Sequence, residues 1–93
     1  MSEARICCRV VVRGSVQGVF FRDGTREQAD SAAVDGWVRN LPDGSVEAVL
    51  EGAPEAVETV LAWCRSGPSG ADVRDVDVEP LEPTGARGFE VRG

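Results

Sequence analysis

The chain has 93 residues, 42% of them hydrophobic, and its 10 basic and 16 acidic residues leave a net charge of −6 and a pI near 4.5. That length suits one folded domain over residues 1–93, and the acidic surplus excludes a general attraction to nucleic acid or anionic membrane, so any anion must be bound locally. All ten cations are arginine, and the lack of Lys, His and Tyr excludes Ser/His/Asp and Cys/His nucleophile pairs, Schiff bases, His-ligated metals and a P-loop lysine.

From Arg5 to Arg13 the residues Ile6, Cys8, Val10 and Val12 alternate with Arg5, Cys7, Arg9, Val11 and Arg13, the period of a strand with one buried face. Cys8 then faces the core and Cys7 faces outward. Two glycines in GSVQGVFFR end the pattern, giving a loop from Gly14 to Phe20. Helical polarity follows in FRDGTREQADSAAV, with Phe21, Thr25, Ala29 and Ala32 or Ala33 on one side. Gly36 to Leu41 reads as a short strand, Pro42-Asp43-Gly44 as a turn, and Ser45 to Glu51 as the second arm of a hairpin, with Val46, Ala48 and Leu50 opposed to Glu47, Val49 and Glu51. Pro54 suits a first helical turn. Val57, Val60, Leu61 and Cys64 follow at helical spacing, and Gly67-Pro68 ends that helix. Beyond it, Val76 and Val78 alternate with Asp75, Asp77 and Glu79, and after a turn over Pro83 to Gly88 the tail FEVR supplies a last short strand.

This order, βαββαβ, predicts an α+β, ferredoxin-like α/β sandwich: an antiparallel sheet of four to five strands with two helices on one face. The two Trp and three Phe are expected to anchor its core. In that topology the first two strands run parallel with the third between them. The loop Gly14 to Phe20 and Asn40 therefore share one sheet edge, two strand spacings or roughly 10 Å apart.

A glycine-bearing loop running into a helix presents unpaired N–H groups and a positive dipole end, which suits a phosphate, although a plain connection would also carry such glycines. Arg22 tips the balance. A cation in the first helical turn opposes the dipole at about 0.3–1 kcal/mol unless an anion is present, the alternative being an arginine solvated beside Asp23 and Glu27. Asn40 can accept a hydrogen bond from a water and hold it in line with phosphorus, or it can be an ordinary residue before a turn. Without His, Lys or Tyr, an acyl phosphate is the tractable phosphate ester analogue, because its carboxylate leaves without general acid help.

The three cysteines allow no disulfide framework and no CxxC clip. Cys7 and Arg13 have the C-x5-R spacing of cysteine phosphatases, but the residues between them form a β-branched strand and not a loop. Asp72, Asp75, Asp77 and Glu79 read as a solvated strand face, and Cys64 as structural. The opening MSEARICCRVVV has no signal-peptide pattern and no apolar run reaches membrane-spanning length, which predicts a cytoplasmic protein. Arginine as the sole cation, beside an acidic surplus, fits a saline habitat or a nucleotide-composition bias equally.

The segments Gly14-Ser15-Val16-Gln17-Gly18-Val19-Phe20-Phe21-Arg22 and Gly36-Trp37-Val38-Arg39-Asn40, continuing through Gly44, Val46 and Gly52 to the closing GFEVR, closely resemble the two signature motifs of the acylphosphatase family. The resemblance implies hydrolysis of acyl phosphates to carboxylate and phosphate with no cofactor; a small-molecule substrate, no metal and a monomer are the expectations that accompany it. It also implies that Arg22 is the phosphate-binding catalytic arginine and Asn40 the water-orienting asparagine, with Ser15, Val16, Gln17, Gly18, Val19 and Phe20 supplying the anion-binding amides. Two positions depart from the family pattern. Gly24 replaces a larger residue, at a helix cost of about 1 kcal/mol relative to Ala, and Ala33 replaces a glycine at the helix exit. Rival readings are a binding module like the acylphosphatase-like segments of larger carbamoyl-transfer maturation proteins, and a ferredoxin-like RNA-binding or metal-carrying module. The missing zinc-finger cysteines, the acidic pI, and the lack of an exposed aromatic platform or CxxC weigh against them.

Overall fold

A computed structural model describes residues 4–93. Met1 to Glu3, part of the segment read for a leader, lie outside the described residues. The elements are β1 (Ile6–Ser15), α1 (Phe21–Ala32), β2 (Asp35–Asn40), β3 (Val46–Gly52), α2 (Pro54–Ser66), β4 (Asp72–Leu81) and β5 (Phe89–Arg92). The five strands form one sheet in the order β4-β1-β3-β2-β5. This is the expected ferredoxin-like α+β sandwich, with β3 between β1 and β2.

The sheet is mixed, not wholly antiparallel: β2 and β5 pair in parallel. The chain reverses direction after β4, as in a hairpin, but residues 82–88 carry it past β1 and β3 to the far edge. There it lies beside β2, which runs opposite to β4. Strand β1 also runs two residues further than the glycines suggest. A bulge between Arg13 and Gly14 absorbs the break, so Gly14 and Ser15 still pair with β4. Gly14 sits at φ 130°, where a Cβ would fall 2.1 Å from the Asp72 carbonyl oxygen, so only glycine lets the two backbones approach. Pro80 is tolerated in β4 because that strand lies at an edge.

The helix-covered face holds the core. Cys8, Val10 and Val12 of β1, with Val46, Ala48 and Leu50 of β3, pack against Phe21 and Ala29 of α1 and Val57, Val60, Leu61 and Cys64 of α2. Each valine, leucine or phenylalanine among them contributes about 1.5–3 kcal/mol on full burial. Thr25, fully buried, satisfies its hydroxyl by donating to the Phe21 carbonyl at 2.8 Å. Burial pushes the Cys64 thiol up to about 12 and Cys8 up to about 11, and all three cysteines are free.

The two family departures in α1 have physical explanations. The Trp63 ring sits 2.5 Å from where a Gly24 Cβ would stand, so glycine leaves room for the indole of α2. That ring in turn packs on Phe21, with centroids 5.3 Å apart. At the exit, Ala33 adopts the left-handed conformation (φ 58°, ψ 41°) that glycine usually takes. The N–H groups of Ala33 and Val34 donate to the carbonyls of Asp30 and Ala29, closing a Schellman motif. The helix therefore ends as a glycine would end it, at the steric cost of a Cβ.

The open face is ionic. Arg9 and Arg39 both bond to Glu47, and Arg13 pairs with Asp75 and Asp77. Glu47 and Glu51 point away from the helices, as their alternation predicts, yet both are buried, as is Cys7. Burial alone would raise the pKa of Glu47, but the two guanidinium groups outweigh it and hold the carboxyl below its ordinary value. The aromatic residues do not all anchor the core: Phe21 and Phe89 are buried, whereas Trp37 lies on the open face between Arg39 and Arg92, and Phe20 is 75% exposed.

Candidate active site

The loop from Val16 to Phe20 joins β1 to α1, and Asn40 ends β2 on the same sheet edge. Together they enclose a cavity of about 250 Å³, lined by Val16, Gly18, Phe20, Phe21, Arg22, Asp23 and Asn40. The separation expected between loop and asparagine is thus closed by one concave surface.

Helix α1 begins abruptly. Phe20 occupies the cap position in the left-handed region (φ 70°, ψ 19°), with no side-chain cap, and its carbonyl accepts the first helical hydrogen bond from Gly24 at 2.9 Å. For a residue with a Cβ, this backbone costs on the order of 1–2 kcal/mol. Among the described residues, none accepts a backbone hydrogen bond from the N–H groups of Gln17 through Asp23. A run of open donors ahead of a helix N-terminus is an anion-binding surface.

Arg22 is intermediate in exposure, and no described carboxylate pairs with it, neither Asp23 nor Glu27. It is held from the other side, where its Nη1 donates to the Arg92 carbonyl of β5 at 3.1 Å. The guanidinium retains further donors for a ligand. Asn40 lines the cavity, and its amide has no side-chain hydrogen bond to a described residue.

Of the residues expected at the phosphate, Val16, Gly18, Phe20, Arg22 and Asn40 line the cavity, while Ser15 and Val19 do not. Ser15 is the last paired residue of β1, opposite Asp72. Gln17 turns its side chain away and donates from Nε2 to the carbonyls of Leu41 and Ser45, each at 2.8 Å. It braces the loop against the β2–β3 turn that follows Asn40. That turn is itself fixed by Asp43, whose carboxylate accepts from the Ser45 N–H and hydroxyl and is held below its usual pKa by those bonds. Sequence reasoning missed Phe21 and Asp23 as lining residues. Their placement in the first helical turn, flanking Arg22, was the available signal.

A second set of backbone donors offers a contrast. Glu51 is fully buried and accepts from the N–H groups of Thr84 (3.0 Å) and Gly85 (2.8 Å), from the Thr84 hydroxyl (2.8 Å) and from Arg5 (3.1 Å). Burial would raise its pKa, but these donors prevail and hold it at about 2. Among the described residues no three His, Cys, Asp or Glu side chains converge as metal ligands, and no helix is long and apolar enough to cross a membrane.

Residues 8–91 match the family model for acylphosphatase. The chain is 62% identical over 86 residues to an acylphosphatase of Rubrobacter xylanophilus, covering 90% of this chain and 77% of that protein. It is 51% identical over 92 residues to the acylphosphatase of Haloquadratum walsbyi, covering 99% of both. The solved structure of an acylphosphatase from Coxiella burnetii superposes with a TM-score of 0.91 at 38% identity, covering 95% of this chain and 93% of that one.

Proposed function

Since the chain belongs to the acylphosphatase family, whose members hydrolyse acyl phosphates to carboxylate and phosphate, we propose that the cavity between the Val16–Phe20 loop and Asn40 is where it does so. The observation that carries this reading is that one cavity is lined by residues with open N–H groups (Gly18, Phe20, Phe21, Arg22 and Asp23), an arginine without a described carboxylate partner and a free amide, that of Asn40.

The loop amides bind the phosphoryl oxygens from one side and Arg22 grips them from the other. Both stabilise charge on the equatorial oxygens as the phosphoryl group loosens. Asn40 accepts a hydrogen bond from a water and aims it at phosphorus, opposite the acyl oxygen. The water oxygen bonds to phosphorus, the P–O bond to the acyl group breaks, and its electron pair leaves on the carboxylate. The water's proton passes to a phosphoryl oxygen, so a substrate dianion yields carboxylate and dihydrogen phosphate. The carboxylate is a good leaving group, and the mechanism needs neither a general acid nor a cofactor. The protein works as a single domain and a monomer in the cytoplasm on a small-molecule acyl phosphate, with no nucleic acid or membrane partner.

Steady-state hydrolysis of benzoyl phosphate by chelator-treated protein tests the mechanism. Full activity is expected, and loss on chelation would refute the metal-free chemistry. Asn40→Ala is expected to abolish most turnover with little change in phosphate inhibition, and retention of full kcat would refute the water-orienting role.

A further inference from the structure

We infer that Phe20 and Asp23 read the acyl end of the substrate, selecting an uncharged apolar acyl group over one that carries its own carboxylate; the inference rests on the acylphosphatase reading of the cavity. Phe20 is the most exposed large hydrophobic side chain of the described residues, at 75%, against 41% for Val78. Its ring contributes nothing to the core. Nor does the turn need it, because a glycine would hold the same left-handed backbone without steric cost. The side chain is kept where it is doubly unfavourable, wet and on a strained backbone, and both penalties fall at the mouth of the phosphate cavity.

Phe20 lines two hollows at once: the cavity holding Arg22 and Asn40, and a groove along α1 formed with Asp23, Arg26, Glu27 and Asp30. A phosphoryl group bound at Arg22 must direct its acyl substituent outward past this ring. An apolar or aromatic acyl group covers the ring and removes its surface from water. The groove beyond carries three carboxylates and one guanidinium, and Arg26 is engaged by Asp30 at 3.6 Å. Asp23 lines both hollows, so an acyl group bearing a carboxylate meets negative charge as it leaves the phosphate site.

The test compares kcat/KM for benzoyl, acetyl and succinyl phosphates in the wild type, Phe20→Ala, Phe20→Gly and Asp23→Asn. The wild type is expected to favour benzoyl over acetyl phosphate. Either Phe20 variant should shrink that ratio roughly tenfold, chiefly through KM. The glycine variant suits the left-handed backbone and so decides the matter if the alanine variant folds poorly. Asp23→Asn should raise the succinyl-to-acetyl ratio roughly threefold at low salt, and the gain should fade in high salt. A purely structural role for Phe20 would lower both substrates in parallel, and an unmoved ratio in the folded glycine variant would overturn the inference. A wild type that hydrolyses none of the three would instead overturn the acylphosphatase reading on which it rests.

Discussion

Two loops of this protein present backbone N–H groups toward an anion, and they differ in who supplies it. At residues 82–88 the donors of Thr84 and Gly85, with Arg5 beside them, close on Glu51, a carboxylate of the protein itself. At residues 16–20 the donors and Arg22 face a cavity that Asp23 also lines, yet no described carboxylate pairs with Arg22 or accepts from those donors. The chemistry of the two cradles is the same, an arginine and successive amides around an oxyanion. One is filled during folding and contributes stability. On the proposed reading, the other forgoes that stability and keeps its electrostatic field for a ligand.

The strongest way to break the comparison is to remove each cradle's cation or anion. Arg22→Ala should lower kcat/KM for benzoyl phosphate by about 10²–10³-fold and leave the melting temperature nearly unchanged. Glu51→Gln should do the reverse, costing about 3 kcal/mol in urea unfolding by stranding buried donors, while KM holds. A Glu51→Gln protein as stable as the wild type would show the filled cradle to be energetically idle.

The filled cradle also carries a pH signature. Glu51 titrates at about 2 in the folded protein against an ordinary 4.5, so the folded state favours the ionised form. Its contribution is complete above about pH 4.5 and is lost as pH falls toward 2. Glu47 is shifted the same way and adds to that loss. Glu51→Gln should therefore flatten the acid limb of the stability profile, measured by urea midpoints between pH 5 and 2.5. In the open cradle, inorganic phosphate at ten times its dissociation constant should stabilise the wild type by about 1.4 kcal/mol and Arg22→Ala by much less. The smallest effect belongs to Ala33→Gly. Ala33 shares a cavity wall with Arg5, Asp35 and Gly85, and relieving its left-handed backbone should gain about 0.5–1 kcal/mol with unchanged kinetics.

The open cradle was far more legible in the sequence than the filled one. Arg22 conflicts with its local structure, a cation in a first helical turn, and Gly18 and Asn40 stand with it in short motifs, all of which is visible without coordinates. Glu51 gave no warning: period-two alternation places it outward correctly, but its burial comes from a loop more than thirty residues later in the chain. The same blindness to remote segments explains the parallel β5, whose direction depends on the path of residues 82–88. For Gln17 and Phe20 the sequence points only to their amides, since nothing local tells that one side chain braces a turn and the other stands in water. Gly14 and Ser15 escaped the strand because a bulge is a property of the pair β1–β4 and not of either strand alone.

The bond from Arg22 to the Arg92 carbonyl spans 70 residues, and Gln17 reaches 24 and 28 residues ahead to Leu41 and Ser45. The proposed catalytic centre is thus closed by contacts between distant parts of the chain, including β5. Such contacts wait for the loops they close, and on refolding, enzymatic activity should return with the slowest phase, after helix signals have recovered. Turnover should then be a clock for the docking of β5, and a nascent chain still lacking that strand should be catalytically silent.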